Sequence, residues 1–389
     1  MDIQQLFQER EQAGINYTLE RMKALYEGLG TPEKGVDVIH IAGTNGKGST
    51  VSYLEALFKG SGKSVLSFVS PSFSGREGHL LWNGEAVSAA AFAEACKTAA
   101  ALLPKIEAVH GLVTPFELLT ATAFAACKRW KPDVFLVECG LGGRLDATNV
   151  LLQKAVTILT SIGTDHQAFL GSDREQIARE KAGIMRRGVP VVSGCGDADV
   201  WLKQEAEKAG APWIELKRSW SFTSPDALET AEGTVNLPAP GPHQERNAAC
   251  AWTAAGLLTD QVLEVWLQEA RMPARFEALH SGVIVDSAHN IEAVEALLES
   301  IPERWSVTFL FGAMRDKPVN DMVSRLSKRG RVVPALFEDA RAVTEEEWHE
   351  LLPDERVCTD PKQFVESFTA AGATLIVTGS HAFTGTVRN

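Results

Sequence analysis

A glycine-rich segment near residue 45 has the residue types and the spacing of a phosphate-binding loop. It comprises Gly43, Thr44, Asn45, Gly46, Lys47, Gly48, Ser49 and Thr50. Glycines let backbone N–H groups turn toward phosphate oxygens, and the N-terminus of a helix adds partial positive charge. Lys47 can reach terminal phosphates, and the hydroxyl of Ser49 or Thr50 can lie near Mg²⁺. The segment therefore predicts a nucleoside triphosphate site, with a ligand-free strand-to-helix turn as the alternative.

The segments around this loop alternate β-type runs with helical patterns, which indicates an α/β fold with a largely parallel sheet. The predicted strands are residues 36–42, 64–69, 133–138, 156–161 and 189–193. The predicted helices are residues 47–58, 88–109, 115–129 and 174–186. Thr114, Pro115 and Glu117 predict a capping box at the start of the third helix. Ligands of open α/β sheets bind beyond the carboxyl ends of the strands, so the chemistry is expected on the loops there.

The alternation restarts after an interruption. Residues 218–242 are rich in Pro, Ser, Thr and Gly and predict an irregular excursion, and residues 245–258 predict a helix. Strands are then predicted at residues 283–286, 306–311, 331–337 and 374–378. We therefore predict a first domain of residues 1–270 and a smaller α/β domain of residues 271–389, with the active site in the cleft between them.

Composition disfavours several classes of protein. The 389 residues carry a formal net charge of −12, which argues against broad nucleic-acid binding but allows a local basic pocket for an anionic substrate. Six cysteines without a CxxC pair argue against a disulfide framework or a zinc site. The first twenty residues lack the apolar run of a signal peptide, and no segment has the apolar length that spans a bilayer. We expect a cytoplasmic protein that binds neither membranes nor nucleic acids.

The phosphate loop departs from the general GxxxxGK[ST] pattern, because Ile41 and Gly48 occupy its first glycine and hydroxyl positions. GTNGKGS resembles the P-loop of the Mur ligase superfamily, and specifically its folylpolyglutamate synthase/dihydrofolate synthase branch. The resemblance runs from about residue 15 to the last residue of the sequence. Further segments carry it in the same order: TPFELLTATAF (114–124), ECGLGGRLDATN (138–149), SIGTDHQAFLG (161–171), IAREKAGI (177–184), HQERNAA (243–249), ARFEAL (274–279), DSAHN (286–290), FGAMRDK (311–317) and VTGS (377–380).

The resemblance implies an ATP-dependent ligase with a P-loop domain followed by a smaller Rossmann-like domain. Members of this family activate a carboxylate with ATP to an acyl phosphate, which the amine of glutamate attacks with release of phosphate. A reaction between two anions needs concentrated positive charge, which metal ions supply. The implied cofactors are ATP and Mg²⁺, and the implied substrates are a folate or dihydropteroate and L-glutamate. The chain is expected to be a monomer.

Matching positions imply roles for side chains around the loop. Glu138 ends the apolar run 133–138, where an unpaired carboxylate is costly, and resembles the family's metal-binding glutamate. Ser70 and His166 match further metal positions, and Ser49 provides a hydroxyl. Lys181 matches a lysine that CO₂ carbamylates, which requires a locally neutral amine. Each assignment has a structural alternative. Glu138 could form an ion pair at a strand end, His166 could be a hydrogen-bonded loop residue, and Lys181 could be a solvated helix lysine. The implied catalytic residues are Lys47, Glu138, His166 and Lys181.

Positions beyond residue 242 resemble the nucleotide-binding residues of the family. Arg275 and Asp286 match a pair that meets phosphate and ribose, and a planar cation suits phosphate. A strand-end cap is the alternative for Asp286. The segment DSAHN has Ser287 where the family has glycine. The positions that match are His243, Gln244, Asn247, Arg275, Asp286 and His289.

The segment SPSFSGREGH departs most from the family, because Ser72 replaces the histidine of an SPH motif and a downstream ERI motif is altered. That stretch helps to hold the pterin-bearing substrate in relatives, so the departure affects the acceptor more than the ATP chemistry. We predict the addition of glutamate to a folate, with dihydropteroate as a second acceptor. A Mur-type ligase with another carboxylate acceptor and a non-catalytic nucleotide-binding regulator remain as alternatives. A non-catalytic regulator is disfavoured because the chain retains four residues that match catalytic positions: Lys47, Glu138, His166 and Lys181.

Overall fold

The computed structural model describes residues 2–13, 18–165, 167–216, 221–224, 226–230, 233–369 and 372–388. His166, a predicted metal ligand and catalytic residue, lies outside the described residues. The chain forms two compact units. The first comprises Met1–Ser221, Glu229–Val235 and Arg246–Arg271, and the second comprises Phe222–Leu228, Asn236–Glu245 and Met272–Asn389. The second unit thus includes two short segments upstream of residue 271, and the predicted domains 1–270 and 271–389 stay a prediction.

An eight-stranded sheet supports the first unit in the described part of the chain. Its strands are β1 (Asp37–Ala42), β2 (Val65–Phe68), β3 (Leu80–Trp82), β4 (Glu85–Ala86), β5 (Val134–Glu138), β6 (Val156–Leu159), β7 (Val191–Ser193) and β8 (Trp213–Ile214). Their order is β4-β3-β2-β5-β1-β6-β7-β8. The six strands from β2 to β8 in this order pair in parallel, and β3 and β4 form an antiparallel edge. β1, β2, β5 and β6 are almost wholly buried, which explains their continuous apolar sequence.

Helices pack on this sheet and contribute to its core. The α-helices up to residue 255 are α1 (Ile3–Gln8), α2 (Glu20–Leu29), α3 (Lys47–Gly60), α4 (Ala89–Ala100), α5 (Leu103–His110), α6 (Pro115–Trp130), α7 (Gln167–Leu170), α8 (Arg174–Ala182), α9 (Asp199–Ala209) and α10 (Pro242–Ala255). Side chains of α2, α4 and α6 join Val38, Phe68 and Phe135 in one apolar cluster, and α8 and α9 join β6 and β7 in another. α3 packs against β1, β2 and β5.

Local sequence signals decide where two of these helices begin. The predicted capping box of α6 is confirmed: Thr114 Oγ1 accepts from Glu117 N at 3.2 Å, and Glu117 Oε2 accepts from Thr114 N at 2.8 Å. The single helix predicted over residues 88–109 is wrong, because α4 ends at Ala100 and α5 begins at Leu103. Pro104, in the first turn of α5, lacks an N–H and suits a helix start rather than a helix interior.

Three short strands between residues 221 and 236 form a sheet, so the prediction of an irregular excursion is wrong for these strands. They are β9 (Ser221–Ser224), β10 (Ala227–Thr230) and β11 (Gly233–Asn236), in the order β11-β10-β9. Residues 218–220, 225 and 231–232 of the predicted excursion lie outside the described residues. Threonine and valine favour strands, but runs of four residues are too short for a two-residue period to stand out from a polar loop. The pairing of the strands therefore decides the structure here.

A five-stranded sheet supports the second unit within the described residues. Its strands are β12 (Glu277–His280), β13 (Val283–Val285), β14 (Ser306–Phe311), β15 (Arg331–Pro334) and β16 (Ala373–Thr378). In the order β12-β13-β16-β14-β15, only β12 pairs in antiparallel fashion. Its α-helices beyond residue 290 are α11 (Ile291–Ser300), α12 (Val319–Ser327), α13 (Glu345–Leu351), α14 (Pro361–Ser367) and α15 (His381–Arg388). The predicted α/β fold with largely parallel sheets is confirmed.

Candidate active site

The phosphate loop connects β1 to α3. Gly46 caps α3 with a φ of +87°, a left-handed conformation that favours glycine. Residues that follow β6 fasten the loop backbone. Thr44 N donates to Ser161 O at 2.9 Å, and Asn45 O accepts from Thr160 Oγ1 at 2.6 Å and from Ser161 Oγ at 2.9 Å. The ends of two neighbouring strands therefore hold the loop in one shape.

Two lysine ammonium groups converge on one carbonyl oxygen of this loop. Lys47 Nζ donates to Gly43 O at 3.1 Å and to Thr44 O at 3.2 Å. Lys181 Nζ, from α8, donates to the same Gly43 O at 3.0 Å. Lys181 is only 3% exposed, so the alternative of a solvated helix lysine is wrong.

The surroundings of Lys181 favour its uncharged form. Burial, and after it the positive charge of Lys47, lowers the pKa of the Lys181 ammonium to about 7. Near neutral pH, a substantial fraction of Lys181 is therefore an uncharged amine, which is the nucleophilic form of lysine. The site meets the condition that carbamylation by CO₂ requires, although the carbamylated state itself stays a prediction.

The carboxylate of Glu138 lies at the end of β5, beside the loop. It is 4% exposed, its Oε1 is 4.0 Å from Lys47 Nζ, and its Oε2 accepts from Ser70 N at 3.3 Å. A Cβ placed on Gly48 would lie 4.0 Å from Glu138 Oε2, so the carboxylate faces the start of α3. Carboxylate oxygens are ligands that Mg²⁺ prefers. The buried carboxylate of Glu138 therefore fits one oxygen ligand of a divalent metal ion beside the phosphate loop.

The remaining predicted residues of the first unit border the same loop. Ser49 and Thr50, in the first turn of α3, are buried. Within the described residues, the buried Thr50 Oγ1 has no hydrogen-bond partner. Asn247, in α10, is 5% exposed, and its Oδ1 would lie 2.4 Å from a Cβ placed on Gly46. The structure thus brings Asn247 against the phosphate loop, about 200 residues away in sequence.

Close backbone packing holds α8 against the loop that follows β5. A Cβ on Gly183 would lie 2.4 Å from Arg144 Cβ, and a Cβ on Gly143 would lie 2.7 Å from Lys181 O. Asn149 Nδ2 donates to Arg144 O and to Gly183 O, both at 3.0 Å. These contacts set the position of Lys181 near the end of α8, and they explain why both segments carry glycine.

In the second unit, predicted nucleotide-binding residues lie around the end of β13. Asp286 Oδ2 accepts from Phe276 N and Asp286 Oδ1 accepts from Ala288 N, both at 2.9 Å. Burial raises the pKa of Asp286, while the charge of Arg275 opposes that rise. His289 Nδ1 lies 2.9 Å from Ser287 O. The strand-end cap considered for Asp286 is confirmed, and contacts of Arg275, Asp286 and His289 with ATP stay predictions.

Sequence reasoning missed the hydroxyl groups that fix the phosphate loop. The strand predicted over residues 156–161 includes Thr160 and Ser161, but β6 ends at Leu159. Polar residues directly after an apolar run can indicate a functional loop. Their hydrogen-bond partners, however, depend on which strands are neighbours in the sheet, and here β6 lies next to β1. Asn149 was also missed as a residue that positions Lys181, for the same reason.

Some arrangements are absent from the described residues. No group of three or more His, Cys, Asp or Glu side chains within them has the geometry of a metal site, and His166 is outside that set. No described helix combines the length and the apolarity needed to cross a membrane. All six cysteines are free thiols.

Comparison with known proteins finds matches over nearly the whole chain. The family described as Mur ligase, glutamate ligase domain, matches residues 274–381. The dihydrofolate synthase/folylpolyglutamate synthase of Bacillus subtilis (strain 168) is 32% identical over 419 residues, covering 96% of this chain and 95% of the relative. Escherichia coli FolC in complex with DHPP and ADP has a TM-score of 0.87 at 29% identity, covering 98% and 95% of the two chains.

A further similar structure was solved with bound ligands. It is a bifunctional folylpolyglutamate synthase/dihydrofolate synthase with Mn, AMPPNP and L-glutamate bound, with a TM-score of 0.84 at 29% identity over 100% of this chain and 97% of that one. A P-loop α/β unit together with a matched glutamate ligase domain defines a ligase of the Mur type. The chain belongs to the folylpolyglutamate synthase/dihydrofolate synthase family.

Proposed function

We propose that this chain is an ATP-dependent ligase that adds L-glutamate to a folate, with dihydropteroate as a second acceptor. The observation that carries the proposal is the convergence of Lys47, Lys181 and Glu138 on one phosphate loop, in a chain of this family. A purely nucleotide-binding regulator has no need for a buried carboxylate and a second buried lysine at this loop. Catalysis of a reaction between two anions does need such groups.

The reaction proceeds in two steps. A carboxylate oxygen of the acceptor takes the terminal phosphoryl group of ATP, which gives an acyl phosphate and ADP. The amine of glutamate then attacks the acyl carbon, phosphate leaves with the electron pair of the broken C–O bond, and the amine loses a proton. Lys47 neutralises phosphate charge, and it exchanges its carbonyl partners at Gly43 and Thr44 for phosphate oxygens as ATP binds.

Four residues would hold magnesium: Glu138, Ser70, Ser49 and His166. The buried carboxylate of Glu138 next to Ser70 N supports this assignment. When bound, the metal ion supplies positive charge that lets two anions approach. The chain's own contribution is to orient the oxygen donors and to keep the phosphate loop in one shape through Thr160 and Ser161.

We also propose that Lys181 is carbamylated in the active enzyme. Its burial, its pKa of about 7 and its contact with Gly43 O support the proposal, because CO₂ reacts with the uncharged amine. The modification replaces a buried cation with an anionic oxygen donor near the metal residues. Intact mass at high bicarbonate should show an added CO₂ that Lys181→Met lacks, and full activity after bicarbonate removal would contradict the proposal.

The remaining predicted residues are proposed to bind ATP. Asn247 beside Gly46 is assigned to the nucleoside, together with His243 and Gln244. Arg275 is assigned to phosphate because a planar guanidinium suits phosphate oxygens. Asp286 and His289 complete the assignment, and each is tested by the effect of alanine substitution on the KM for ATP.

The function is tested with purified protein by phosphate release that depends on both ATP and glutamate. The acceptors are tetrahydrofolate, dihydropteroate and a carboxylate without a pterin, with product masses measured for each. Lys47→Ala and Glu138→Ala are expected to abolish coupling, and Lys97→Ala, at an exposed position in α4, is the matched control. Coupling only to the non-pterin carboxylate would refute the folate assignment. Tight ATP binding without any glutamate-dependent turnover would refute ligation.

A cytoplasmic location and a monomeric state belong to the same proposal. Six free thiols suit a reducing compartment. Light scattering of the purified chain measures the oligomeric state, with a monomer mass of 42.1 kDa expected.

A further inference from the structure

The backbone around Arg275 has a conformation that residues other than glycine rarely adopt. Ala274 has a φ of +48° and Phe276 a φ of +51°, so both neighbours of Arg275 lie in the left-handed region. Such conformations persist only where the surrounding contacts over-determine the backbone. The direction in which the Arg275 side chain leaves the backbone therefore depends on what holds Ala274 and Phe276.

Side chains of the second unit hold the backbone groups of this turn. Phe276 N donates to Asp286 Oδ2 at 2.9 Å. Ala274 O accepts from Ser287 N at 3.0 Å and from Ser287 Oγ at 3.2 Å. On its other side, Ala274 N donates to Glu277 Oε2 at 2.7 Å. Each left-handed residue is thus fixed through a carboxylate that accepts its N–H.

Glu277 is in turn oriented by Arg388, the last residue of α15. Arg388 Nε donates to Glu277 Oε2 at 2.6 Å, and Arg388 Nη2 donates to Glu277 Oε1 at 3.0 Å. The two side chains are 25% and 27% exposed, so solvent screens the contact only in part. A two-pronged guanidinium–carboxylate contact fixes the rotation of the carboxylate as well as its position. Arg388 lies outside residues 274–381, the part that the family match covers.

We propose that Arg388 is a positioning residue for nucleotide binding. Through Glu277 and Ala274, it fixes the turn from which Arg275 reaches the phosphates of ATP. The inference rests on the proposed function, in which Arg275 binds ATP. Without Arg388 the carboxylate of Glu277 rotates, Ala274 N loses a fixed acceptor, and the turn relaxes toward right-handed conformations. ATP binding then weakens more than turnover at saturating ATP slows.

The test is steady-state kinetics of the full chain, with ATP varied at saturating acceptor and glutamate. Arg388→Gln is expected to raise the KM for ATP about tenfold, the scale of one charge-assisted contact, with kcat changed by less than about twofold. Arg388→Lys, which keeps the charge but not the two-pronged contact, is expected to give an intermediate KM. Arg331→Gln is the matched control, because Arg331 Nε and Nη2 contact Glu355 at 3.0 and 2.8 Å in the same unit. Its KM for ATP is expected to stay unchanged.

A double variant shows whether Arg388 acts through Arg275. Adding Arg388→Gln to Arg275→Gln is expected to leave the KM for ATP at the value of Arg275→Gln alone, because the two changes remove one interaction. Independent, multiplying effects would overturn the inference, and so would an unchanged KM in Arg388→Gln. Glu277→Gln makes the same prediction if Arg388→Gln does not fold, because an amide has one acceptor oxygen and cannot keep the two-pronged contact that fixes the acceptor of Ala274 N. Wild-type protein that fails to couple glutamate would refute the proposed function, whereas active wild type with an unaffected Arg388→Gln would refute only this inference.

Discussion

Replacement of Lys181 by methionine is expected to stabilise the folded protein at low pH, although it removes a predicted catalytic group. Lys181 is 3% exposed, and its pKa falls from 10.5 to about 7 on folding. At about 1.4 kcal/mol for each tenfold change in proton affinity, holding the protonated ammonium in this site costs about 5 kcal/mol. This is a net cost, because the hydrogen bond to Gly43 O, worth about 1 kcal/mol, does not outweigh the loss of hydration on burial. Methionine fills a similar length without charge.

The direction of the pH effect follows from proton binding in the two states. Below about pH 7, the folded and the unfolded chain both hold the proton on Lys181, and the full cost opposes folding. Between about pH 7 and pH 10.5, the unfolded chain keeps the proton that the folded protein has lost, so stability rises with pH. From about pH 6 to about pH 9, wild-type protein should therefore gain about 3 kcal/mol relative to Lys181→Met.

Thermal unfolding at both pH values, in buffers free of CO₂ and nucleotide, measures this difference. About 3 kcal/mol corresponds to about 6–12 °C for a unit of this size. Lys181→Met is expected to melt above wild type at the lower pH, with a gap that narrows by this amount at the higher pH. Lys97→Met, at an exposed lysine, controls for loss of a charge. Two results would show that the buried ammonium does not oppose folding: a gap that is the same at both pH values, or wild type melting above the variant at the lower pH.

Further perturbations test the contacts that hold the site. Gly183→Ala is expected to slow glutamate coupling about a hundredfold, because the new Cβ would meet Arg144 Cβ at 2.4 Å and displace α8. Gly188→Ala is its control in the same rate assay, because the new Cβ meets nothing within 4 Å and adds only local backbone strain at a φ of +75°. Arg21→Met is expected to cost about 3–5 kcal/mol in thermal unfolding, because Glu117, 5% exposed, stays buried without its cation. Chelation with EDTA is expected to stop ATP-dependent phosphate release, and added Mg²⁺ to restore it.

Each of these expectations has an outcome that contradicts it. Equal rates for Gly183→Ala and Gly188→Ala would show that close packing of α8 does not set the site. An unchanged melting temperature in Arg21→Met would show that the buried carboxylate finds another partner. Phosphate release that persists in EDTA would contradict the proposal that Glu138 and its neighbours bind a metal ion needed for the reaction.

The sequence located the elements of the first unit well because their strands are buried on almost every side. Continuous apolar runs predicted β1, β2, β5 and β6 to within two residues at each end. Helix starts were also local, as the Thr114–Glu117 capping box shows. Local sequence did not predict β9, β10 and β11, because strands of four residues are recognisable only by their pairing.

Local sequence was enough to predict the kind of chemistry, because a strand, a glycine turn and a helix in direct succession are typical of a phosphate loop. That Lys181 is a buried amine rather than a surface cation follows from contacts between distant segments. Its partner Gly43 O is 138 residues away, and Thr160 reaches Asn45 across 115 residues. Burial and hydrogen-bond partners depend on which strands and helices lie side by side. That arrangement is a property of the whole sheet, and no short segment carries it.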